Sequence, residues 1–254
     1  MMNAAMKTIL VTRPGLPGTE LCRLLDKEGS HSFHFPTIAF APPQNTEAVS
    51  QAITIIDKQH WLIFNSPQAV HAITPAIKAA WPQFPSQIKI AAIGAGTKKA
   101  LLAAGHQTVF QPAEWSSEGL LSSPEFQSVH AQRIAIVRGE GGRELLDIRL
   151  RERGAQVLSI LAYQRVLPQQ ETEHCENLLK KKAIHAIVCT SYESVRNFKD
   201  LLSAPAWNSL KMLPLVVVSQ RVKTLAQDLG FQTIWVAHNP SHEAILAILK
   251  EIVV

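Results

Sequence analysis

Six short segments of this chain concentrate side chains able to hold an anion. They are TRPG at 12–15, NSPQ at 65–68, GAGTKK at 94–99, RGEGGR at 138–143, TSYES at 190–194 and SQRVK at 219–223. Glycine lets backbone N–H groups approach a ligand closely, hydroxyls donate hydrogen bonds, and guanidinium groups grip carboxylate or phosphate through charge-assisted bonds. Together these residue types make an anion cradle. Ser66, Thr190 and Ser191 also fit helix N-capping, where a side-chain oxygen accepts from a first-turn N–H. One hydroxyl can serve both purposes. Other chemistries find less support. RGEGGR lacks the Gly-Lys-Ser/Thr ending of a phosphate loop and the full GxGxxG spacing. His31 and His34, three apart in a predicted strand, point to opposite faces, and His238 and His242 straddle Pro240, so no metal site is expected.

These segments need elements to carry them. Short apolar runs of strand length fall at 8–11, 61–64, 88–93, 134–137, 157–161, 186–189 and 215–218. Helical patterns such as TELCRLLDKEG, QAVHAITPAIKAA, GTKKALLAAG and RELLDIRLRERG lie between them. Strands alternating with helices predict parallel α/β architecture, and the six segments then fall at carboxyl ends of strands, where such sheets bind ligands. Gly29, Gly105, Gly154 and Gly230 stand where helices should end, the left-handed position that suits glycine.

Two of those glycines open an echo, GHQTVF at Gly105 and GFQTIW at Gly230, offset by 125 residues (230 minus 105). The same offset pairs Arg13 with Arg138, Gly29 with Gly154, Ser66 with Ser191, Val70 with Val195 and Glu118 with Glu243. The chain is therefore two copies of one unit, and the echo is a helix-ending glycine followed by the next strand. Cys189 stands opposite Phe64, and Cys22 opposite Asp147, so a racemase with paired thiols is excluded. Each copy opens with a strand–helix–strand block, 7–37 and 132–162, then crosses a polar, proline-bearing segment, APPQNTE or VLPQQETE. If the chain changes domain there, one domain holds 1–38 with 168–254 and the other holds 41–163. Linkers at about 38–41 and 163–168 would join them as two strands, leaving a cleft between the domains. Two consecutive domains cut near residue 125 are the simpler parse and remain open.

Composition narrows the field. Hydrophobic residues at 46% and charged residues at 18% allow a sizeable core and argue against disorder. Three scattered cysteines make neither a disulfide framework nor a zinc pattern, which suits a reducing cytoplasm. No apolar run reaches the roughly 18 residues of a membrane span, and MMNAAMKTILVTRPG has too short an apolar stretch for a signal peptide, with Met6 as an alternative to Met1 for the start. A net charge of +5 favours an anionic partner. The basic residues are scattered, however, apart from Lys180–Lys182, which reads as a solvated run. A small polyanion fits the balance at least as well as nucleic acid.

At these segments the chain resembles the uroporphyrinogen-III synthase family. VTRPG, FNSPQAV, AAIGAGTKKAL, IVRGEGGRELLDIRLRERGAQV leading into AYQRV, CTSYESV and SHEAIL carry the resemblance in order along nearly the whole chain. RGEGGREL followed by a tyrosine-bearing strand is the most specific of them. The resemblance implies two α/β domains of flavodoxin-like, pseudo-repeated build in the discontinuous layout. It also implies a cofactor-free hydro-lyase acting on hydroxymethylbilane, a linear tetrapyrrole with eight carboxylates. Loss of its hydroxyl leaves an electrophilic azafulvene, which the last ring attacks through a spiro intermediate, so that ring D ends inverted in uroporphyrinogen III. Tyr163 matches the family tyrosine thought to assist departure of the hydroxyl. Arg13, Ser66, Thr97, Arg138, Arg143, Ser191 and Ser194 match carboxylate-binding positions. SQRVK departs from the family's glycine and threonine: Ser219 replaces the glycine, Val222 stands opposite Thr97, and Arg221 offers a charge instead. The implied partner is the substrate, bound by a monomer without nucleic acid or membrane, with a transient contact to the preceding pathway enzyme. The competing reading is a non-catalytic two-domain binding protein for a small polyanion. Such proteins are usually exported, and the lack of an export signal favours the synthase.

Overall fold

The computed structural model describes residues 7–253, so the choice between Met1 and Met6 lies outside the described residues. The strands are β1 Thr8–Val11, β2 His31–His34, β3 Ala39–Ala41, β4 Trp61–Phe64, β5 Lys89–Ala92, β6 Arg133–Gly139, β7 Gln156–Val166, β8 Ile184–Val188, β9 Leu215–Val217 and β10 Ile234–Val236. The helices are α1 Gly15–Lys27, α2 Thr46–Thr54, α3 Pro67–Ala80, α4 Ala95–Ala103, α5 Ser117–Ser122, α6 Pro124–Gln127, α7 Leu145–Glu152, α8 Glu173–Lys180, α9 Tyr192–Leu201, α10 Ala204–Leu210, α11 Gln220–Asp228 and α12 His242–Val253.

Among the described residues these strands form two five-stranded sheets. In the first, the order is β10-β9-β8-β1-β2 with parallel pairing throughout. The second runs β3-β7-β6-β4-β5, with β7, β6, β4 and β5 parallel. TILV of β1 and WLIF of β4 are buried along their whole length. Helices on both faces of a parallel sheet demand such unbroken apolar strands.

Numbered along the chain, the first sheet has the flavodoxin-like order 2-1-3-4-5. At the 125-residue offset, β6, β7, β4 and β5 are the counterparts of β1, β2, β8 and β9 and take the same relative places. The repeat is thus visible in the topology, each sheet drawing strands from both copies. The echo needs one correction. GFQTIW does lead into β10, but in GHQTVF only Phe110 makes an isolated bridge, to Ala91. The four helix-ending glycines behave as their sequence suggests, with φ of 86° at Gly29, 106° at Gly105, 83° at Gly154 and 96° at Gly230.

The chain divides into two compact units. One comprises the chain up to Ala39 together with the chain from Val166 onward, and the other is Phe40–Arg165. Every hydrophobic cluster lies inside one unit. Ile53, Phe64, Ile73, Leu101 and Ile160 share one core of the second unit, and Trp61, Phe126, Ile136 and Leu150 share another. Leu10, Phe198 and Leu215, and separately Ile9, Leu21, Val188 and Ile245, form those of the first. Cys175 and Cys189 sit in the first of these, and burial pushes both thiols up to about 12. A fragment of residues 40–165 is therefore expected to melt cooperatively by circular dichroism, whereas residues 1–125, which split both sets of clusters, are expected to be unfolded. A cooperative 1–125 fragment beside an unfolded 40–165 fragment would overturn this division.

Candidate active site

In sheets of this kind a ligand binds where the strand order reverses, between the first and third strands of the 2-1-3-4-5 series. In the Phe40–Arg165 unit that place lies between β6 and β4, and the loops leaving them are RGEGGR and NSPQ. A pocket of about 320 Å³ opens there, with Asn65, Ser66, Trp115, Arg138, Arg143, Tyr163 and Arg165 in its walls. Two hollows of the same unit are larger, about 760 Å³ beside α2 and β7 and about 510 Å³ around Phe110–Glu125. Glu140 is the charged group lining the first, and Glu114 and Glu125 those lining the second. An anion is repelled from both, so the smaller, arginine-lined pocket is the better anion site.

Ser66 and Tyr163 meet at its base. Ser66 N-caps α3, accepting from the Ala69 N–H at 3.1 Å, and its Oγ lies 3.2 Å from the Tyr163 hydroxyl. The capping and functional roles coexist in one side chain. Tyr163 is only 3% exposed, its ring edge-on to Phe40 at 5.4 Å, so it is a core residue of β7. Its hydroxyl is engaged by Arg165 Nη2 and Ser66. Arg165, two residues along the strand and hence on the same face, holds its guanidinium 5.7 Å from the ring centre and donates to the phenol at 3.4 Å. Gly139 makes room for the ring. The β6–β7 register shifts between Arg138 and Gly139, and a Cβ at Gly139 would stand 2.6 Å from the Tyr163 Cζ.

The two arginines of RGEGGR differ sharply. Arg143 is an exposed cation whose Nη1 meets Glu118 at 3.2 Å on the surface. Arg138 is nearly enclosed, with 8% side-chain exposure. It donates to Glu144 at 3.2 Å and to the Gly142 carbonyl at 3.3 Å, and its Nε faces Asp147 at 3.7 Å. Asp147, itself 10% exposed, also accepts from the Ser159 hydroxyl. Arg138 thereby fastens the 139–144 loop to α7 and still lines the pocket. Thr97 is buried in the first turn of α4.

In the other unit the corresponding place lies between β1 and β8. Thr12 Oγ1 donates to the Val188 carbonyl at 2.9 Å, joining the two strand ends. Arg13 reaches the Pro240 carbonyl at 3.2 Å, and burial lowers its pKa, opposed by Glu20. Ser191 caps α9 by accepting from the Ser194 N–H at 3.1 Å, and its hydroxyl lies 2.9 Å from that of Ser194. The buried Ser194 accepts at its carbonyl from Thr37, whose own carbonyl accepts from Asn197. Ser219 caps α11, which explains its place where the first copy has glycine, and Arg221 is exposed on that helix. Among the described residues no cluster of three His, Cys, Asp or Glu side chains forms a metal site, and no helix is long and apolar enough to cross a membrane.

The structure thus groups Ser66, Arg138, Arg143 and Tyr163 in one pocket, and Arg13, Ser191 and Ser194 at the reversal point of the other sheet. Sequence reasoning missed Trp115, Arg165 and the Glu144–Asp147 clamp. Of these only Arg165 left a signal, the alternation that puts it on the face of Tyr163.

Comparison with known proteins identifies the family. A family model described as uroporphyrinogen-III synthase HemD matches residues 19–247. The chain is 33% identical over 250 residues to the uroporphyrinogen-III synthase of Escherichia coli, covering 96% of this chain and 100% of that one. It is 31% identical to that of Synechococcus elongatus, over 78% of this chain and 75% of the relative. Solved synthases from Helicobacter pylori and from Thermus thermophilus share the fold, at TM-scores of 0.62 and 0.61. Each is 16% identical and covers 97% of this chain, with 99% and 98% of the other chain covered. The chain belongs to the uroporphyrinogen-III synthase family, cyclising lyases of tetrapyrrole biosynthesis.

Proposed function

We propose that the Tyr163 pocket acts on hydroxymethylbilane, closing it with loss of water and inversion of ring D to give uroporphyrinogen III. The observation that carries this assignment is a phenol held between a serine and an arginine in a hollow lined by three arginines. In this reading the Tyr163 O–H gives its proton to the departing hydroxyl. The carbon–oxygen bond breaks with its electron pair on oxygen, water leaves, and the pyrrole nitrogen lone pair forms an azafulvenium cation, whose N–H proton passes to the phenolate to leave the neutral azafulvene. Arg165, donating to the phenol oxygen, offsets the charge that the proton leaves behind. Arg143 and Arg165 in one unit, and Arg13, Ser191 and Arg221 in the other, bind carboxylates, and the buried Ser194 sets the Ser191 hydroxyl. Ser66 and Thr97 order the loops, and Arg138 both faces the pocket and fixes its rim.

The remaining work is orientation. A bound chain held in one fold reacts as an intramolecular partner, and well-aligned systems gain effective molarities of about 10⁵ M or more. No cofactor is required for that. The reading further places the enzyme in the cytoplasm as a monomer that receives its labile substrate from the preceding pathway enzyme. The test is direct: purified protein is added to freshly prepared hydroxymethylbilane, and the ring isomer is identified after oxidation. Mainly isomer III supports the assignment. Isomer I at the rate of the uncatalysed control, with the bilane bound, would favour the polyanion-binding protein instead.

A further inference from the structure

The cations and hydroxyls already described can hold carboxylates, but they do not hold the flat faces of four pyrroles. Trp115 is 66% exposed, an unusual position for the largest apolar side chain, and it lines the same pocket as Arg143, Tyr163 and Arg165. Among the described residues no other ring stacks on it. The backbone on either side of it, by contrast, is held. Ser116 donates its N–H to the Glu114 carbonyl at 2.8 Å and caps α5 through its hydroxyl. Gly119 lets the loop close down on α5, since a Cβ there would stand 2.2 Å from the Glu114 oxygen. A fixed loop thus carries an uncovered indole beside cations and a phenol. The pocket volume, about 320 Å³, is at the small end for a small-molecule site. That suits one substituted pyrrole better than a whole tetrapyrrole.

We propose that Trp115 is a substrate-binding residue whose indole face stacks on one pyrrole of the bilane, the terminal ring bearing the hydroxymethyl group. That ring's acetate and propionate would then lie toward Arg143 and Arg165. Stacking fixes the plane of the reacting ring, while the arginines fix its edge. The inference rests on the synthase reading, because it takes the identity of the ligand from it.

The experiment measures initial rates and melting temperatures for the wild type, Trp115→Ala and Trp115→Phe with freshly prepared hydroxymethylbilane. An offset-stacked aromatic pair contributes enough to predict a KM raised about tenfold in Trp115→Ala. Trp115→Phe, which keeps a π-face, should lie within about threefold of the wild type, and both variants should melt with it because the side chain supports no core. A wild-type KM in Trp115→Ala overturns the stacking role. So does an equal rise in both variants, which would assign the effect to the indole N–H or to bulk alone. Failure of the wild type itself to form isomer III would instead overturn the synthase reading, an outcome separate from either.

Discussion

Tyr163→Phe is expected to slow turnover about 10–100-fold while the product stays mainly isomer III. General acid catalysis commonly contributes about 10²–10⁴-fold. The bilane loses its hydroxyl and closes unaided, which leaves less barrier to remove and puts the effect at or below the low end of that range. The substitution is a clean one structurally. Ser66 keeps its cap to the Ala69 N–H, and the ring keeps its packing on Phe40 and its fit over Gly139. What disappears is the oxygen shared by Ser66 and Arg165. The measurements are the initial rate and the isomer ratio on a variant that melts with the wild type. An unchanged rate removes Tyr163 from the chemistry. A slow variant giving mostly isomer I would show that the hydroxyl governs how the substrate folds, and the proton-donor role would be withdrawn.

The largest stability effect should come from Arg138→Met. Removing one member of a buried ion pair strands the other charge and typically costs about 3–5 kcal/mol. Arg138 and Asp147 are 8% and 10% exposed, so solvent screens them little. Ser159 still donates to Asp147, which argues for the lower end. For a chain of this size the melting temperature should fall by about 6–12 °C. Glu144, mostly exposed, contributes little of this. The double variant Arg138→Met/Asp147→Leu should recover most of the loss, because no buried charge then remains unpaired. Thermal melts of the two singles and the double decide it. If Arg138→Met melts with the wild type and only KM rises, the guanidinium serves the substrate and not the loop.

The sheets were legible in the sequence because strands buried on both faces must be unbroken apolar runs, as in β4 and β9. The turns were legible because Gly29, Gly105, Gly154 and Gly230 occupy positive φ. Less could be read at sheet margins. β7 continues to Val166 through AYQRV, five residues past the apolar run, and Tyr163 pairs there with Gly139 at the bulged end of β6. β3 is three partly buried residues with no strand pattern of their own. In the site, residue types at strand ends pointed to Ser66 and Arg143, whereas Tyr163 was reached through the family resemblance. The enclosure of Arg138 was not readable, since its partners Glu144 and Asp147 are set by how α7 docks, and Asp147 looks in sequence like an ordinary first-turn acid.

β3 and β7, near the two ends of the Phe40–Arg165 unit, are neighbours in its sheet. During synthesis this unit is complete before β8, β9 and β10 emerge, while β1 and β2 wait for partners on the far side of it. Closing a flexible loop of this length, about 125 residues, costs roughly 4 kcal/mol in chain entropy. A folded insert bears that cost in advance, delivering Ala39 and Val166 from adjacent strands, so the outer unit assembles as if its two segments were joined by a short tether. Folding in vitro should therefore be ordered from the inside outward, and lesions in the inserted unit should slow both units where lesions in the outer one slow only itself.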